Sequence, residues 1–132
     1  MDDGLNGSAR SLGSRFLAEP ALKRLHYYPR ALRAVMLARA ALPGTVRLQH
    51  VAAHVGMAPA SFSRFFTEKV GVPFSAVMKA LRIERAVAEM EERSRSVEML
   101  ASASGYVSRC AFTRAFKEVV GITPSDYRRR LL

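Results

Sequence analysis

Apolar residues recur at helical spacing along almost the whole chain after Pro29. No stretch alternates apolar and polar side chains for long enough to predict a strand. Prolines and glycines interrupt the pattern and mark the expected ends of helices. The pattern predicts an all-α domain with helices near residues 30–42, 48–55, 59–69, 74–93, 97–104, 109–119 and 124–131.

The first 29 residues do not continue this pattern. Roughly the first 15 are rich in Gly, Ser, Asn and Asp, a composition typical of a flexible segment. The stretch from Phe16 to Pro29 fits either a short helix or the stub of a linker. We therefore expect residues 1–29 to be a flexible leader or linker remnant, and residues 30–132 to form the folded domain.

The expected folded domain contains an internal repeat. Residues 51–56 align with residues 100–105 at an offset of 49, and residues 64–72 align with residues 114–122 at an offset of 50. Each copy consists of a short helix, a glycine turn, a second helix and a Gly-apolar pair close to a proline, which is the helix-turn-helix pattern. The repeat predicts two helix-turn-helix units, near residues 48–69 and 97–119.

The second helix of each unit has one apolar face and one polar or cationic face. The residues expected to face inward are Phe62, Phe65 and Phe66 in the first unit, and Phe112, Ala115, Phe116 and Val119 in the second. The opposite faces carry Ala60, Ser63, Arg64 and Thr67, and Cys110, Thr113, Arg114 and Lys117. A single face of this kind is compatible with ordinary solvated surface. The matched pair favours two helices in the DNA major groove, where Arg bonds bidentately to guanine.

The predicted helix at 74–93 carries two apolar stripes. The first stripe is Phe74, Val77, Met78 and Leu81, and the second is Ile83, Ala86, Val87 and Met90. Their centres are about nine residues apart, half a turn out of phase at 100° per residue, so the helix is expected to contribute to two cores. Its length of about 30 Å is close to the roughly 34 Å between successive major-groove segments on one side of B-DNA. A monomer with this build can read two adjacent segments.

Charge and composition narrow the choice of partner. The 132 residues include 21 Lys+Arg and 11 Asp+Glu, a net charge of +10, and 49% are hydrophobic, enough for a core. Nucleic acid is the leading candidate partner, and a membrane surface the second. The longest apolar stretch, 34–42, is too short to span a bilayer. The acidic start has no apolar stretch behind it, so we do not expect a signal peptide, and the single cysteine cannot form an internal disulfide. Both observations favour a cytoplasmic protein.

From about Leu48 to Arg130 the chain resembles the DNA-binding domain of the AraC/XylS family of bacterial transcription regulators. The resemblance rests on Arg64-Phe65-Phe66 before Gly71, on the linker motif at 82–86, and on the closing run from Gly121 through Thr123-Pro124 to Tyr127-Arg128. It implies a seven-helix bipartite bundle, two helix-turn-helix subdomains joined by a long linker helix, that binds promoter DNA and usually activates transcription through RNA polymerase. By position, its base-facing residues carry over to Ala60, Ser63 and Arg64, and to Arg109, Cys110, Thr113 and Arg114.

The sequence departs from the family pattern in two respects. Members usually place Ser or Thr before the first recognition helix, where this chain has Ala58 followed by Pro59, so no side chain caps that helix. We therefore expect the second unit to dominate the base contacts. Only about 29 residues precede the bundle, as in short members that bind as monomers without a separate effector domain. Accordingly, we expect neither a small-molecule sensing pocket nor a cofactor.

Other chemistry has weaker support. His50 and His54 lie four residues apart on one predicted helix, but no neighbouring Cys, Asp or Glu completes a metal site, so surface histidines are the preferred interpretation. A redox role for Cys110 is a secondary hypothesis, rejected if mild oxidation leaves DNA affinity unchanged. The charged residues of the linker helix, Glu84, Glu89, Glu91 and Glu92 with Arg82, Arg85, Arg93 and Arg95, are interpreted as a solvated ion-pair face. No nucleophile elbow, P-loop or Rossmann motif points to an enzyme.

Three classes of function follow. The favoured class is a sequence-specific DNA-binding transcriptional regulator, with double-stranded DNA as partner and RNA polymerase as a second candidate. A nonspecific nucleic-acid binder is the second class, although RNA readers usually expose stacking aromatics, and here the phenylalanines fall on the expected core side. The third is a protein-interaction module or anti-regulator of the same fold with weak nucleic-acid binding.

Overall fold

The computed structural model describes residues 15–93 and 95–131, apart from the side chain of Arg93. All regular structure in this part of the chain is helical. The helices are α1 (Glu19–Tyr27), α2 (Pro29–Ala41), α3 (Leu48–His54), α4 (Pro59–Val70), α5 (Phe74–Arg93), α6 (Val97–Ala103), α7 (Arg109–Val120) and α8 (Pro124–Leu131). The predicted all-α class is confirmed, and α2 to α8 correspond to the seven predicted helices.

Proline and serine explain where several of these helices begin. Pro29, Pro59 and Pro124 occupy the first positions of α2, α4 and α8, where a missing N–H removes no intrahelical bond. Ser96 and Ser108 precede α6 and α7, and each accepts a hydrogen bond from a backbone N–H three residues further on. The two halves of the repeat therefore start their helices differently.

The helices enclose two separate hydrophobic cores. The first lies among α1 to α4 and the N-terminal half of α5, and includes Leu25, Val35, Phe62, Phe66 and Val77. The second lies among the C-terminal half of α5, α6 and α7, and includes Ile83, Val87, Leu100, Phe112 and Phe116. Both predicted stripes of α5 are buried, the first in the first core and the second in the second. The linker helix therefore belongs to both units, as its pattern predicted.

Helix α1 agrees with the short-helix alternative for residues 16–29 and corrects their assignment to a leader. Residues 19–27 form a helix whose Ala21 and Leu25 are buried in the first core, so the folded domain includes residues that were assigned to a flexible leader. Ala21 and Leu25 are one turn apart, and one turn is too short for periodicity to separate a helix from a linker. Residues 1–14 lie outside the described part of the chain.

Candidate nucleic-acid interface

Helices α4 and α7 are the second helices of the two helix-turn-helix units, which pair α3 with α4 and α6 with α7. Their inward faces are firmly packed, since Phe62 and Phe66 of α4 and Phe112 and Phe116 of α7 have no exposed surface. Each pair is in aromatic contact, with ring centroids 5.7 and 5.8 Å apart. Phe65, which was also expected to face inward, is only partly buried.

The predicted DNA-facing residues lie on the opposite sides of these helices. Ala60, Arg64 and Thr67 of α4 are exposed, as are Arg109, Cys110, Arg114 and Lys117 of α7. Ser63 and Thr113 are partly buried. The structure thus brings each set of residues together on one outward helix face.

The starts of the two recognition helices differ. The hydroxyl of Ser108 accepts a hydrogen bond of 3.1 Å from the backbone N–H of Ala111, which caps α7. Ala58 stands at the equivalent position before α4 and makes no side-chain cap. A side-chain cap is worth about 1 kcal/mol to a helix, so the second recognition helix has the better-fixed start.

Arg109 is held by an ion pair with Glu98 of α6. About half of the Arg109 side chain and two thirds of the Glu98 side chain remain exposed, at 52% and 66%. Exposed pairs of this kind contribute little free energy, so the guanidinium of Arg109 can exchange its partner for an anionic ligand.

Two polar contacts from the first half of the linker helix reach the second unit, and the first involves Lys79. Its ammonium group lies 2.8 Å from a carboxylate oxygen of Glu118 on α7. The hydrogen bond and the charge of Lys79 lower the pKa of the Glu118 carboxyl, and the charge of Arg114 adds to this. The single acidic side chain of α7 is therefore paired with a linker-helix cation.

The second contact is made by Arg82, near the middle of α5. Its guanidinium donates to the backbone carbonyl oxygens of Pro43 and Gly44, both at 3.1 Å, and of Ser104, at 3.2 Å. Pro43 and Gly44 belong to the loop before α3, whereas Ser104 follows α6. Arg82 therefore bridges the two units.

These contacts correct the interpretation of the linker-helix charges as a solvated ion-pair face. Arg82 binds three backbone carbonyls, and Glu91 pairs with Arg15, far away in the sequence. The pair of Glu89 with Arg95, at 3.9 Å, does fit that interpretation. Sequence reasoning missed Arg82 because backbone carbonyl acceptors carry no side-chain signature.

A cleft of about 590 Å³ lies beside the first recognition helix. Ser63 and Thr67 of α4 line one wall, Met78 and Lys79 of α5 line another, and Tyr106 comes from the second unit. Burial raises the pKa of the Tyr106 hydroxyl. Because both units supply walls, the width of the cleft depends on how the units are oriented relative to each other.

The described residues hold no group of three or more His, Cys, Asp or Glu side chains placed to bind a metal ion. His50 and His54 are both exposed on α3. The described helices also include none with the length and apolar character needed to cross a bilayer.

Comparison with known proteins agrees with this architecture. A family model described as a helix-turn-helix domain matches residues 51–130. The chain is 31% identical over 114 residues to the RCS-specific HTH-type transcriptional activator RclR of Escherichia coli K12, a match covering 86% of this chain and 40% of RclR. The chain spans 11 to 40% of the length of the curated relatives that it matches.

Solved structures share the fold, two of them at 25% identity or more. A transcriptional regulator of Chromobacterium violaceum with an AraC-type DNA-binding domain has a TM-score of 0.72 and 25% identity, over 78% of this chain and 92% of that one. The DNA-binding domain of AdpA, solved with a target DNA, has a TM-score of 0.65 and 26% identity, over 77% and 91%. With two helix-turn-helix units around one linker helix and a family match over most of both units, the chain belongs to the AraC/XylS family of transcriptional regulators.

Proposed function

We propose that this regulator recognises specific promoter sequences by placing α4 and α7 in two adjacent major-groove segments. The observation that carries the proposal is the matched pair of outward faces. Each stands on a fully buried phenylalanine pair, and the two recognition helices are joined through a single linker helix. A helix in the major groove needs an outward face that is short, polar or cationic, and both faces meet this requirement.

The residues of the two faces have different proposed roles. Arg64 and Arg114 occupy equivalent positions of the repeat, and each is exposed and long enough to bond bidentately with a guanine. Ala60, Ser63 and Thr67 on α4, and Cys110 and Thr113 on α7, offer short side chains for apolar contact or hydrogen bonds to bases. Arg109 is proposed to contact a base edge, and Lys117 a phosphate, since phosphate contacts set affinity and register.

The second unit is proposed to supply most of the base contacts. Its recognition helix has a serine cap and two outward arginines, Arg109 and Arg114. Helix α4 has no side-chain cap, and Arg64 is the one cation among its predicted DNA-facing residues. A first recognition helix with no side-chain cap and a single outward arginine would also fit an anti-regulator with weak DNA binding. That alternative is an outcome of the test below.

We further propose that the protein acts in the bacterial cytoplasm and binds DNA as a monomer. We also propose that it activates transcription through contact with RNA polymerase. Activation is supported by the similarity to RclR, which is described as an activator. Monomeric binding is supported by the presence of two recognition helices in one chain. Proteins with a single helix-turn-helix unit need to dimerise to bring two recognition helices to the DNA.

The decisive experiment selects duplexes from a random library with the wild-type protein and then measures binding by fluorescence anisotropy. Arg114→Ala should weaken binding to the selected duplex by about 1–3 kcal/mol, or about 5- to 150-fold, and relax selectivity at one base pair. Arg33→Ala removes the same charge from an exposed position on α2, outside both helix-turn-helix pairs. This control should bind nearly as the wild type does.

Salt dependence separates specific from nonspecific binding. If about six phosphates are contacted, the logarithm of the affinity should fall against the logarithm of the salt concentration with a slope of about −5. The proposal fails if wild type and Arg114→Ala bind every duplex equally weakly. In that case the anti-regulator alternative takes its place.

A further inference from the structure

The chain segment before α1 is bound to the far end of the linker helix. The guanidinium of Arg15 donates hydrogen bonds of 3.1 and 2.9 Å to the two carboxylate oxygens of Glu91. It also donates at 3.3 Å to the hydroxyl of Tyr127 on α8, and this hydroxyl donates at 2.6 Å to Glu91. Three side chains from three separate parts of the sequence therefore form one closed network in the second unit.

The two residues after Arg15 enter different cores. Phe16 packs against the second core, and Leu17 packs against the first. The chain then continues into α1, whose Leu25 has no exposed surface and lies in the first core with α4. A stretch of three residues thus crosses from one unit to the other, and we call residues 15–17 the strap.

The strap and Arg82 restrain the linker helix from opposite sides. Glu91 follows Arg82 by nine residues, which at 100° per residue is half a turn around the helix. Arg82 joins the loop of the first unit to the turn of the second, and the strap joins the same two units across the opposite side of α5. Arg82 and the Lys79–Glu118 pair hold the units on one side of α5. The strap adds a restraint on the other side, so that rotation is opposed in either direction.

We propose that the strap fixes the angle between the two helix-turn-helix units, so that Arg15 is a positioning residue for the separation of α4 and α7. Its consequence for DNA, selectivity for the spacing between two half-sites, rests on the proposed function. The effect of the strap on the angle between the units does not rest on the proposed function, because that angle can be measured without DNA.

The free protein offers a direct test by distance measurement. Cys110 is the only cysteine and is exposed on α7, and Ala60→Cys adds a second exposed site on α4. Spin labels at these two positions report the separation of the recognition helices by double electron–electron resonance. With the strap intact the distance distribution should be narrow. Arg15→Ala should broaden it about twofold or add a second population.

Rescue distinguishes positioning from general stability. The combined exchange Arg15→Glu and Glu91→Arg rebuilds the ion pair with reversed charges, and the Tyr127 hydroxyl can still donate and accept, so the narrow distribution should return. Phe16→Ala removes the strap's contact with the second core and should also broaden the distribution. Arg33→Ala should leave it unchanged. A narrow distribution in both Arg15→Ala and Phe16→Ala overturns the proposal.

Binding measurements test the consequence for DNA. One base pair inserted between the two half-sites of the wild-type-selected duplex should weaken wild-type binding about tenfold, because it both lengthens and rotates the site. The quantity compared is the ratio of the affinities for the selected duplex and the lengthened duplex. Arg15→Ala should lower this ratio to about two, and the charge-reversed pair should restore the wild-type ratio. An unchanged ratio in Arg15→Ala overturns spacing selectivity. If the wild type selects no duplex while Arg15→Ala broadens the distances, the proposed function fails and the strap stands.

Discussion

At the scale of single residues, the two helix-turn-helix turns differ in the space around their glycines. Gly56 and Gly105 both have a positive φ, 76° and 88°. A Cβ atom at Gly56 would meet nothing within 4 Å. At Gly105 it would collide with the Arg82 guanidinium and lie 2.8 Å from the carbonyl oxygen of Pro43. The second turn is crowded because Arg82 reaches into it.

The matched substitutions Gly56→Ala and Gly105→Ala should therefore differ in cost. Both force a non-glycine residue into the left-handed region, at about 1–2 kcal/mol. Gly105→Ala also displaces Arg82 from its carbonyl acceptors, which should add about 1–3 kcal/mol. Urea unfolding at neutral pH measures both free energies. Equal losses would show that the bridge made by Arg82 has no energetic weight.

Individual residues also show what sequence could predict. The outward placement of Arg64 and Arg114 followed from periodicity alone, because Phe62, Phe66, Phe112 and Phe116 fix which face is buried. The bridge made by Arg82 could not be predicted, since its partners are backbone carbonyls 22 to 39 positions away. A charged residue on a helix looks the same in sequence whether its partner is water or a distant loop.

At the scale of elements, predictability follows the length of the pattern. The linker helix α5 has 20 residues and two stripes of four apolar side chains, so its role in two cores was predicted correctly. Helix α1 has nine residues and only two buried side chains, and its place in the fold depends on contacts with α2 and α4 that no local pattern encodes. The strap is shorter still.

The attachment of the strap to α5 should depend on pH. The hydrogen bonds from Arg15 first, and then from Tyr127, lower the pKa of the Glu91 carboxyl below its usual 4.5. Because the pKa is lowered on folding, the stabilisation is complete above the unfolded value and is lost as the pH falls through the folded value. An exposed pair of this kind contributes about 0.5–1 kcal/mol at neutral pH.

The measurement is the difference in unfolding free energy between wild type and Arg15→Ala, followed by urea denaturation. It should be constant above the unfolded pKa of the carboxyl and shrink as the pH falls through the lowered folded pKa, towards the difference that Arg15→Ala makes in the Glu91→Gln background. Glu91→Gln serves as the control, because its difference from the double variant Glu91→Gln with Arg15→Ala should not change over this range. A difference between wild type and Arg15→Ala that does not shrink as the pH falls would contradict the assignment to Glu91.

At the scale of the whole molecule, part of the net charge of +10 is located on defined surfaces. A basic chain attracts any polyanion, but α4 and α7 concentrate part of this charge on two equivalent helix faces. The linker helix, Arg82, the Lys79–Glu118 pair and the strap all connect the units that carry these faces. We expect these restraints to suit two successive major-groove segments of one duplex.

Methylation interference on the selected duplex tests this claim most directly, because methylation of guanine N7 blocks a major-groove contact at a known base pair. For the wild type we expect two clusters of interfering guanines on one face of the duplex, with centres about 10–10.5 base pairs apart. Arg114→Ala should erase one cluster and Arg64→Ala the other. A single cluster, or two clusters that both variants affect alike, would contradict the two-groove account.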